Sequence, residues 1–414
     1  MLTININNIS LNKIKVLHIC TSKFGGAGIA AFRLHNSLNQ IVGDYVESYW
    51  LDKSMIIYPR LSLFQRIIKK VFKILCYEKY KKSKIKDEFE KYVLFSNLEG
   101  PLKNIQESYD IIHLHWITNF VDYNSFFKKN KIPLVWTCHD KNPFMGGFHY
   151  DLDKYKKKNN IFLSILDNYI IRQKKLLYST STLKSFIATT IDFKNIISNL
   201  FPNFRVDYIP LGFNVDIFKP RNNILCLNVL NIPFTDNITI LFVAQNILDY
   251  RKGWDLLAKS FKLFDLQKSI RLIYVGDSYN SDLNINYLNI EFFNLGFITD
   301  DNVLSYVYNI SNVLIMPSRE EAFGQVMAES LLCGTPVIGF STSGIIDFII
   351  NDFNGYIVKD KSPKSLHDII NKFILSYNDN IYDRFLISDH IKQYINNNLI
   401  SLQHYEFYKS ILKI

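Results

Sequence analysis

Two glutamates, eight residues apart, are the first residues in this sequence that could do chemistry together. Glu321 precedes a predicted helix that runs from about Gly324 to Leu332, and Glu329 lies inside that helix. With a rise of about 1.5 Å per residue, they are about 12 Å apart along the helix axis. Two carboxylates so placed could hold the two ends of one elongated polar ligand. The alternative is that Glu320 and Glu321 simply interact favourably with the helix dipole and that Glu329 is a solvated residue of the helix.

The start of the same helix could bind an anion. The backbone N–H groups of Phe323, Gly324 and Gln325 have no acceptor within the helix, and the helix dipole favours negative charge there. Arg251 and Lys252 lie at another predicted junction between a strand and a helix. Fixed cations and helix-end N–H groups that converge on one ligand suit a diphosphate.

Histidines lie in or just after two predicted strands. His113 and His115 alternate with apolar residues in one strand, and His139 and Asp140 end the next. Open parallel sheets place their ligand sites at these strand ends, although a single histidine there is more often structural. His113 and His115 either line a cleft or are satisfied core histidines, because no carboxylate or thiol stands at metal-ligand spacing. We therefore expect no metal site.

The elements that position these residues alternate between strands and helices. Lys15 to Cys20 reads as a buried strand, followed by a turn that contains Gly25 and Gly26 and then by a helical pattern. A second series of strands begins near Ile238. This alternation predicts an α/β protein with two parallel sheets. The glycines could let the backbone approach a ligand closely or could simply form a tight turn, since the full G-x-G-x-x-G pattern is absent.

Pro210 and Gly212 predict a bend between the two series of strands. We place a first domain at 1–208, a second at 209–389, and a helical tail at about 390–414. The chain of 414 residues is long enough for two or three domains, and its 48% of apolar residues can fill sizeable cores.

The composition predicts a cytoplasmic protein. No apolar run reaches the roughly 18–20 residues that span a bilayer, and the N-terminus lacks the basic start and apolar block of a secretory signal. The five cysteines are scattered and never form a C-x-x-C pair. Such spacing indicates reduced thiols and not a disulfide framework.

The net charge of +10 is concentrated in one stretch, with ten basic and four acidic residues between Arg66 and Lys91. The pattern predicts a basic amphipathic helix. This helix could lie on an anionic membrane surface, or it could be an ordinary helix with a solvated basic face. No matching basic stripe occurs elsewhere, so nucleic acid is not an expected partner.

The strings around these residues resemble those of one enzyme family. E-x-F-G-x-x-x-x-E from Glu321, followed by C-G-T-P-V-I-G from Cys333, closely resembles the nucleotide-sugar-binding motif of retaining family-4 (group 1) glycosyltransferases. The string from Thr137 to Tyr150 resembles the acceptor-side loop of the branch that builds bacterial exopolysaccharide and O-antigen. Three residues depart from the family pattern: Gln245 in place of an arginine, Leu211 in place of an asparagine, and Asp347 in place of a glutamate.

The resemblance implies a fold and a set of site residues. The fold would be GT-B, an α/β architecture in which two Rossmann-like doubly wound domains face a cleft and a C-terminal helix crosses back to the first domain. The implied catalytic residues are His139, Glu321, Lys252 and Arg251. The implied donor-binding residues are Gly25, Gly26, Gln245, Phe323, Gly324, Gln325, Val326 and Glu329. The implied acceptor-side residues are Asp140, Gly146, Gly147 and His149.

The resemblance also implies a reaction. A sugar would move from a nucleotide-diphosphate-sugar donor to a hydroxyl of a glycan or lipid-linked glycan acceptor, with retention at the anomeric carbon, in bacterial surface polysaccharide biosynthesis. His139 would face the donor sugar near its C6 hydroxyl, Glu321 would hold the C3 and C4 hydroxyls, and Glu329 would hold the ribose. Lys252 and Arg251 would neutralise the leaving diphosphate, so that neither a metal ion nor a cofactor would be needed.

Three alternatives stay compatible with the sequence: a nucleotide-sugar epimerase, a phosphorylase of the same fold, or a non-catalytic partner subunit. A phosphorylase would need a pyridoxal-bearing lysine site, for which no pattern is present, and a non-catalytic subunit is favoured by the Gln245 departure alone. Arg251 could replace the arginine that is missing at position 245. The sequence does not determine the donor base, the sugar, the acceptor or the oligomeric state. We expect Glu321→Ala to abolish transfer and leave the fold intact.

Overall fold

The computed structural model describes residues 13–56, 105, 108–118, 120–156, 161–264, 269–277, 290–377 and 382–414. The predicted basic helix at 66–91 lies outside these residues, so its contact with a membrane surface stays a prediction. Within the described ranges, each helix is too short or too polar to cross a bilayer. Four cysteines in these ranges are buried free thiols: Cys20, Cys138, Cys226 and Cys333.

The first domain is built on a parallel sheet of six strands. The strands are β1 Ile14–Ile19, β2 Val46–Leu51, β3 Ile111–Leu114, β4 Leu134–Cys138, β5 Leu183–Ala188 and β6 Val206–Tyr208. Their order in the sheet is β2-β1-β3-β4-β5-β6, and every residue of β3 and β4 is buried, as in sheets covered by helices on both faces. The helices are α1 Gly25–Ile41, α2 Tyr123–Lys129, α3 Asp151–Lys156, α4 Ile161–Ser179 and α5 Ile191–Leu200.

The second domain repeats this design with another parallel sheet of six strands. The strands are β7 Ile238–Asn246, β8 Ile270–Asp277, β9 Ile290–Asn294, β10 Val313–Met316, β11 Val337–Phe340 and β12 Gly355–Val358, in the order β12-β11-β10-β7-β8-β9. The helices are α6 Asn223–Leu230, α7 Trp254–Phe261, α8 Asp301–Asn309, α9 Gln325–Leu332, α10 Ser343–Phe348, α11 Pro363–Ser376 and α12 Arg384–Ile395. The predicted pair of doubly wound domains is confirmed.

The C-terminal helix returns to the first domain. Helix α12 still packs on the second domain, and its apolar face joins that core through Ile387, Ile391 and Ile395. The side chain of Asn396 then caps a new helix, α13 Asn397–Leu412, which packs along α1. Tyr408 of α13 is fully buried in the first-domain core. The predicted crossing is confirmed, but it begins at Asn397 instead of near residue 390.

The carboxyl ends of the two sheets face each other across a cleft, and polar contacts join the domains around it. Asp347, in α10, accepts a hydrogen bond at 2.5 Å from the backbone N–H of Ile191, the first residue of α5. Glu320 accepts one from the Lys141 ammonium at 2.7 Å and one from the N–H of Asp151 at 3.1 Å. The loops after β4 and β10 are therefore held against each other.

Candidate functional site

Lys252, Arg251 and Glu321 form a compact cluster on the second-domain side of the cleft. Lys252 Nζ lies 2.5 Å from one oxygen of Glu321, and an Arg251 nitrogen lies 3.2 Å from the other. Both cations come from a short 3₁₀ turn, Tyr250–Lys252, that the Asp249 side chain caps. Gly253 then adopts φ 76°, a conformation that favours glycine, and packs against the carbonyl of Pro317. This close approach fixes both cations beside the loop that carries Glu321.

The electrostatics of this cluster keep Glu321 ionised beside two cations. Burial opposes ionisation of Glu321, but Lys252 and Arg251 outweigh it and lower the pKa of this carboxyl to about 2. Burial lowers the pKa of Lys252 more strongly than Glu321 raises it. A second carboxylate, Asp249, lies 3.6 Å from Arg251 and is more exposed than Glu321. Because the two cations are fixed side by side, they could also bind an anionic ligand such as a diphosphate.

The first domain covers this cluster. The Arg251 guanidinium stacks on the Tyr150 ring, 4.5 Å from its centroid, which adds a cation–π contact across the cleft. Glu320, next to Glu321, faces the opposite way and holds Lys141 and the start of α3. Adjacent carboxylates thus have different partners, since one binds the first domain and the other binds the cations.

Glu329, the second predicted carboxylate, lies on α9 and is buried against a residue of the first domain. The Arg33 guanidinium, on α1, lies 3.2 Å from one oxygen of Glu329 and 3.0 Å from Asp301. The Tyr308 hydroxyl donates to the other oxygen of Glu329 at 3.0 Å. Burial raises the pKa of Glu329, and Arg33 offsets only part of that effect.

Neither Arg33 nor Tyr308 is predicted from the sequence. Arg33 is 296 residues from its partner Glu329, and no local pattern links them. The one available signal is that Arg33 follows the glycine-rich turn on the helix that the turn introduces.

Gly25 and Gly26, which begin α1, lie close to the start of α9. Gln325 Nε2 donates to the Gly26 carbonyl at 2.8 Å, and the Gln245 side chain approaches Gly25. Gly324 precedes α9 with φ 88°, and no side chain caps this helix. The structure therefore brings the donor-binding glycines and glutamines of the prediction together at an uncapped helix start, where an anion is favoured.

Two predicted donor-binding residues have mainly packing contacts. The buried Phe323 ring stacks with Phe213 at 6.0 Å and contacts Phe348 at 5.7 Å. Val326 is partly buried against the second-domain core. Contact of these two residues with a ligand at the helix start stays a prediction.

His139 and Asp140 follow β4 on the first-domain side of the cleft. Burial lowers the pKa of His139 to about 4, and Asp140 offsets only part of this shift, so the imidazole is neutral at neutral pH. His149 Nδ1 lies 2.6 Å from a carboxylate oxygen of Asp140, and Trp116 Nε1 donates to the same oxygen at 3.1 Å. Burial opposes the ionised form of Asp140, but the contacts with His149 lower its pKa overall.

Gly146 and Gly147 lie in a buried loop that is anchored to α4. The Lys174 ammonium donates to the Gly146 carbonyl at 2.9 Å and to the Asn142 carbonyl at 2.6 Å. The Gly147 N–H donates to Asp167 at 2.9 Å. These bonds fix the loop that carries His139 and Tyr150 at its ends. Contact of these glycines with an acceptor stays a prediction.

A cluster of buried histidines lies beneath His139. Ring nitrogens of His18, His113 and His115 lie within 4.8 Å of one another, a spacing that could hold a metal ion. The group of three contains no carboxylate or thiolate, so a divalent ion there would keep its charge uncompensated in the core. His113 instead bonds Tyr408 Oη and Thr137 Oγ1, each at 2.7 Å. A neutral hydrogen-bonded network fits these contacts better than a metal centre does.

Part of the chain matches a family of known function. Residues 231–385 match the family model described as Glycosyl transferases group 1. The chain is 28% identical over 267 residues to an uncharacterized glycosyltransferase, MJ1607, of Methanocaldococcus jannaschii. This alignment covers 63% of this chain and 65% of MJ1607. It is 28% identical over 204 residues to the capsular polysaccharide biosynthesis glycosyltransferase CapM of Staphylococcus aureus, which covers 45% of this chain and 51% of CapM.

Both alignments span less than two thirds of the relatives' lengths. Over the whole chain, the fold is shared with Anabaena Alr3699/HepE, whose crystal structure is in complex with UDP and glucose. The superposition has a TM-score of 0.62 at 16% identity and covers 96% of this chain and 100% of that one. This likeness shows the GT-B fold. The match to the group 1 family model lies in the second domain.

Proposed function

We propose that this chain is a group 1 glycosyltransferase that moves a sugar from a nucleotide-diphosphate-sugar donor to a hydroxyl of a glycan acceptor, with retention at the anomeric carbon. The observation that carries the proposal is the cluster in which two fixed cations, Lys252 and Arg251, lie within 3.2 Å of the buried Glu321 carboxylate. It lies at the carboxyl end of a parallel sheet, where α/β proteins bind ligands.

The two cations of the cluster fit the leaving group of such a reaction. As the bond between sugar and diphosphate breaks, negative charge develops on the diphosphate. Lys252, Arg251 and the uncapped start of α9 can stabilise that charge. We therefore propose transfer that needs no metal ion.

The two carboxylates would then hold the donor at its two ends. Glu321 is occupied by the two cations. A bound diphosphate would take over these cations and free the Glu321 oxygens to accept hydrogen bonds from sugar hydroxyls. Glu329 is fixed by Arg33 and Tyr308 and keeps lone pairs for the ribose hydroxyls. His139, which is neutral and partly exposed, would bond a hydroxyl of the sugar without adding charge.

We propose a role in surface polysaccharide biosynthesis, with a lipid-linked glycan as the acceptor. The similarity to CapM, a capsular polysaccharide biosynthesis glycosyltransferase, supports this assignment. The string from Thr137 to Tyr150, which resembles the loop of the exopolysaccharide branch, agrees with it.

The reaction can be tested by incubating the purified chain in EDTA with UDP-, GDP- and ADP-sugars and a lipid-linked oligosaccharide acceptor. We expect release of one nucleoside diphosphate together with a product whose new linkage keeps the donor's anomeric configuration by NMR. An isomerised nucleotide sugar without acceptor-dependent release would indicate an epimerase instead. An inverted linkage would overturn the proposed stereochemistry.

Arg33 gives a prediction for donor binding. Replacing it in Arg33→Met removes the guanidinium that orients Glu329, so we expect the KM for the donor to rise about tenfold, the size of one hydrogen bond to a charged group. The kcat at saturating donor should change much less, because the ion pairs of Arg33 are with Glu329 and Asp301 and not with Glu321, which carries the proposed catalytic cations. Arg172→Met, on the exposed face of α4, is the matched control. An unchanged donor KM in Arg33→Met would show that Glu329 does not need this partner.

A further inference from the structure

Three histidines form a hydrogen-bonded chain that leads from the cleft into the first-domain core. His139 Nε2 lies 3.2 Å from His115 Nδ1, and His115 Nε2 lies 2.9 Å from His18 Nδ1. The rings of His18 and His115 are within 13° of parallel, as expected for a hydrogen bond in the plane of both rings. The chain thus links a cleft residue, His139, to two fully buried ones.

Each histidine in the chain is neutral. Burial lowers the pKa of His18 and of His115 well below the usual range, and their neighbouring histidines lower it further. A neutral imidazole carries one N–H and one bare nitrogen. Every link therefore needs one donor and one acceptor, and the direction of one link fixes the direction of the other.

Only two arrangements satisfy both links. In the first, all three rings carry their proton on Nε2, and His139 donates inwards. In the second, all three carry it on Nδ1, and His18 donates to His115, which donates to His139. The two arrangements differ at the buried end, because His18 Nε2 is buried and has no hydrogen-bond partner among the described residues.

The buried end favours the second arrangement. In the first arrangement, His18 Nε2–H would be a buried donor without an acceptor. In the second, the same atom is a bare acceptor. Among backbone groups, orphaned buried N–H donors are rarer than under-satisfied acceptors, and the same preference applies here.

We propose that His115 and His18 are positioning residues that hold His139 with its proton on Nδ1. His139 is the partly exposed member of the chain, and its Nδ1 has no hydrogen-bond partner among the described residues. The chain would thereby present a fixed N–H donor to the cleft. In the proposed function, on which this step rests, the Nδ1–H group of His139 donates a hydrogen bond to a hydroxyl oxygen of the sugar in the nucleotide-sugar substrate.

Two neighbouring histidines, His113 and His35, form no hydrogen bond with the histidine chain. His113 stacks on His115 with ring centroids 4.3 Å apart, but its nitrogens are taken by Tyr408 and Thr137. His35 contacts His18 by ring packing at 6.0 Å and bonds Ser48 through Nδ1 at 2.8 Å. The tautomer of His139 is therefore set through His115 alone.

The test is a two-dimensional NMR spectrum of the full chain with ¹⁵N-labelled histidine, which distinguishes protonated from bare ring nitrogens. The signals of His139 are identified by their loss in His139→Gln. Without any ligand, we expect a protonated Nδ1 and a bare Nε2 in His139, His115 and His18. Protonated Nε2 in these rings, or an average of both forms, would overturn the proposal.

Variants separate positioning from packing. His115→Phe keeps the ring volume but breaks both links, so the Nδ1–H form of His139 should no longer dominate and kcat/KM for the donor should fall about tenfold. His18→Phe breaks only the bond between His18 and His115, and it replaces His115→Phe in the test if that variant does not fold. His404→Phe alters a buried neighbour of His113 that is not in the chain, and it should leave the His139 signals in place.

These readouts also separate this inference from the proposed function. The spectrum needs no substrate, so the tautomer of His139 is decided even if no donor is ever turned over. If transfer occurs but His139 keeps the same tautomer in both His115→Phe and His18→Phe, the positioning role is wrong and the transferase proposal stands.

Discussion

Glu321→Ala is expected to lower the rate of sugar transfer at least about 100-fold, the cost of removing one preorganised polar group from a transition-state site. Glu321 is the only carboxylate of the described residues that contacts both Lys252 and Arg251. Without it, the donor sugar loses its hydrogen-bond acceptor, and the two cations are no longer held in one geometry. Steady-state rates with the donor identified for the wild-type protein measure this effect. Glu406→Ala, on the exposed face of α13, is the matched control.

The burial of Glu321 changes the expectation for stability. The sequence analysis expects the loss of Glu321 to leave the fold intact, but removal of one partner from a buried ion pair typically costs about 3–5 kcal/mol. Glu321→Ala should therefore melt at a lower temperature than the wild-type protein, and bound nucleoside diphosphate should restore part of the loss. A variant with wild-type turnover would contradict the site assignment.

The pH dependence of this loss has a definite sign. The pKa of Glu321 is about 2 in the folded chain against 4.5 for a free carboxyl. A lowered carboxyl pKa contributes stability that is fully present above about pH 4.5 and is lost as the pH falls towards 2. The melting-temperature difference between wild type and Glu321→Gln should accordingly shrink between about pH 5 and pH 3. A difference that stays constant over this range would show that the ion pair does not stabilise the chain.

Lys252→Met carries the second large effect. The substitution keeps the length of the side chain but removes the ammonium nearest to Glu321, so we expect kcat to fall about 100- to 1,000-fold as the leaving diphosphate loses a fixed cation. Lys259→Met is the matched control, because Lys259 is an exposed lysine of α7, the helix that follows Lys252. This variant should keep the wild-type kcat.

Stability should respond to Lys252→Met in a different way from Glu321→Ala. Arg251 still pairs with Glu321 after the substitution, so no carboxylate is left alone. Burial already disfavours the charged form of Lys252, and Met removes that cost. A large fall in melting temperature without a fall in kcat would contradict a catalytic role and make Lys252 a structural residue.

Much of the fold follows from patterns that the sequence contains. Buried apolar runs such as Leu134–Cys138 and Val313–Met316 become central strands because parallel sheets are covered on both faces. The helix after Gly324 begins where its uncapped start was predicted. The end of the chain was less predictable, because Asn396 caps a new helix inside a continuous helical pattern.

The site depends on contacts that no local pattern specifies. Arg251 and Lys252 pair with Glu321, which lies about 70 residues later in the sequence. The motifs identified these residues as candidates but did not predict that they contact each other. Arg33, Tyr150 and His18 reach the site only because the domains close on each other and because β1 lies beside β3. Tertiary packing, and not the sequence pattern, decides these contacts.

The central claim is that the cluster of Lys252, Arg251 and Glu321 binds the diphosphate of a nucleotide-sugar donor. The most direct measurement is the melting temperature of the wild-type chain and of Lys252→Met, in EDTA, with UDP, GDP, ADP and their sugar conjugates. A ligand that binds only the folded chain at 100 times its Kd adds about 2.7 kcal/mol of stability. We expect one nucleotide series to raise the melting temperature of the wild-type chain and to leave Lys252→Met unchanged. No shift with any of these nucleotides, or an equal shift in both proteins, would contradict the claim.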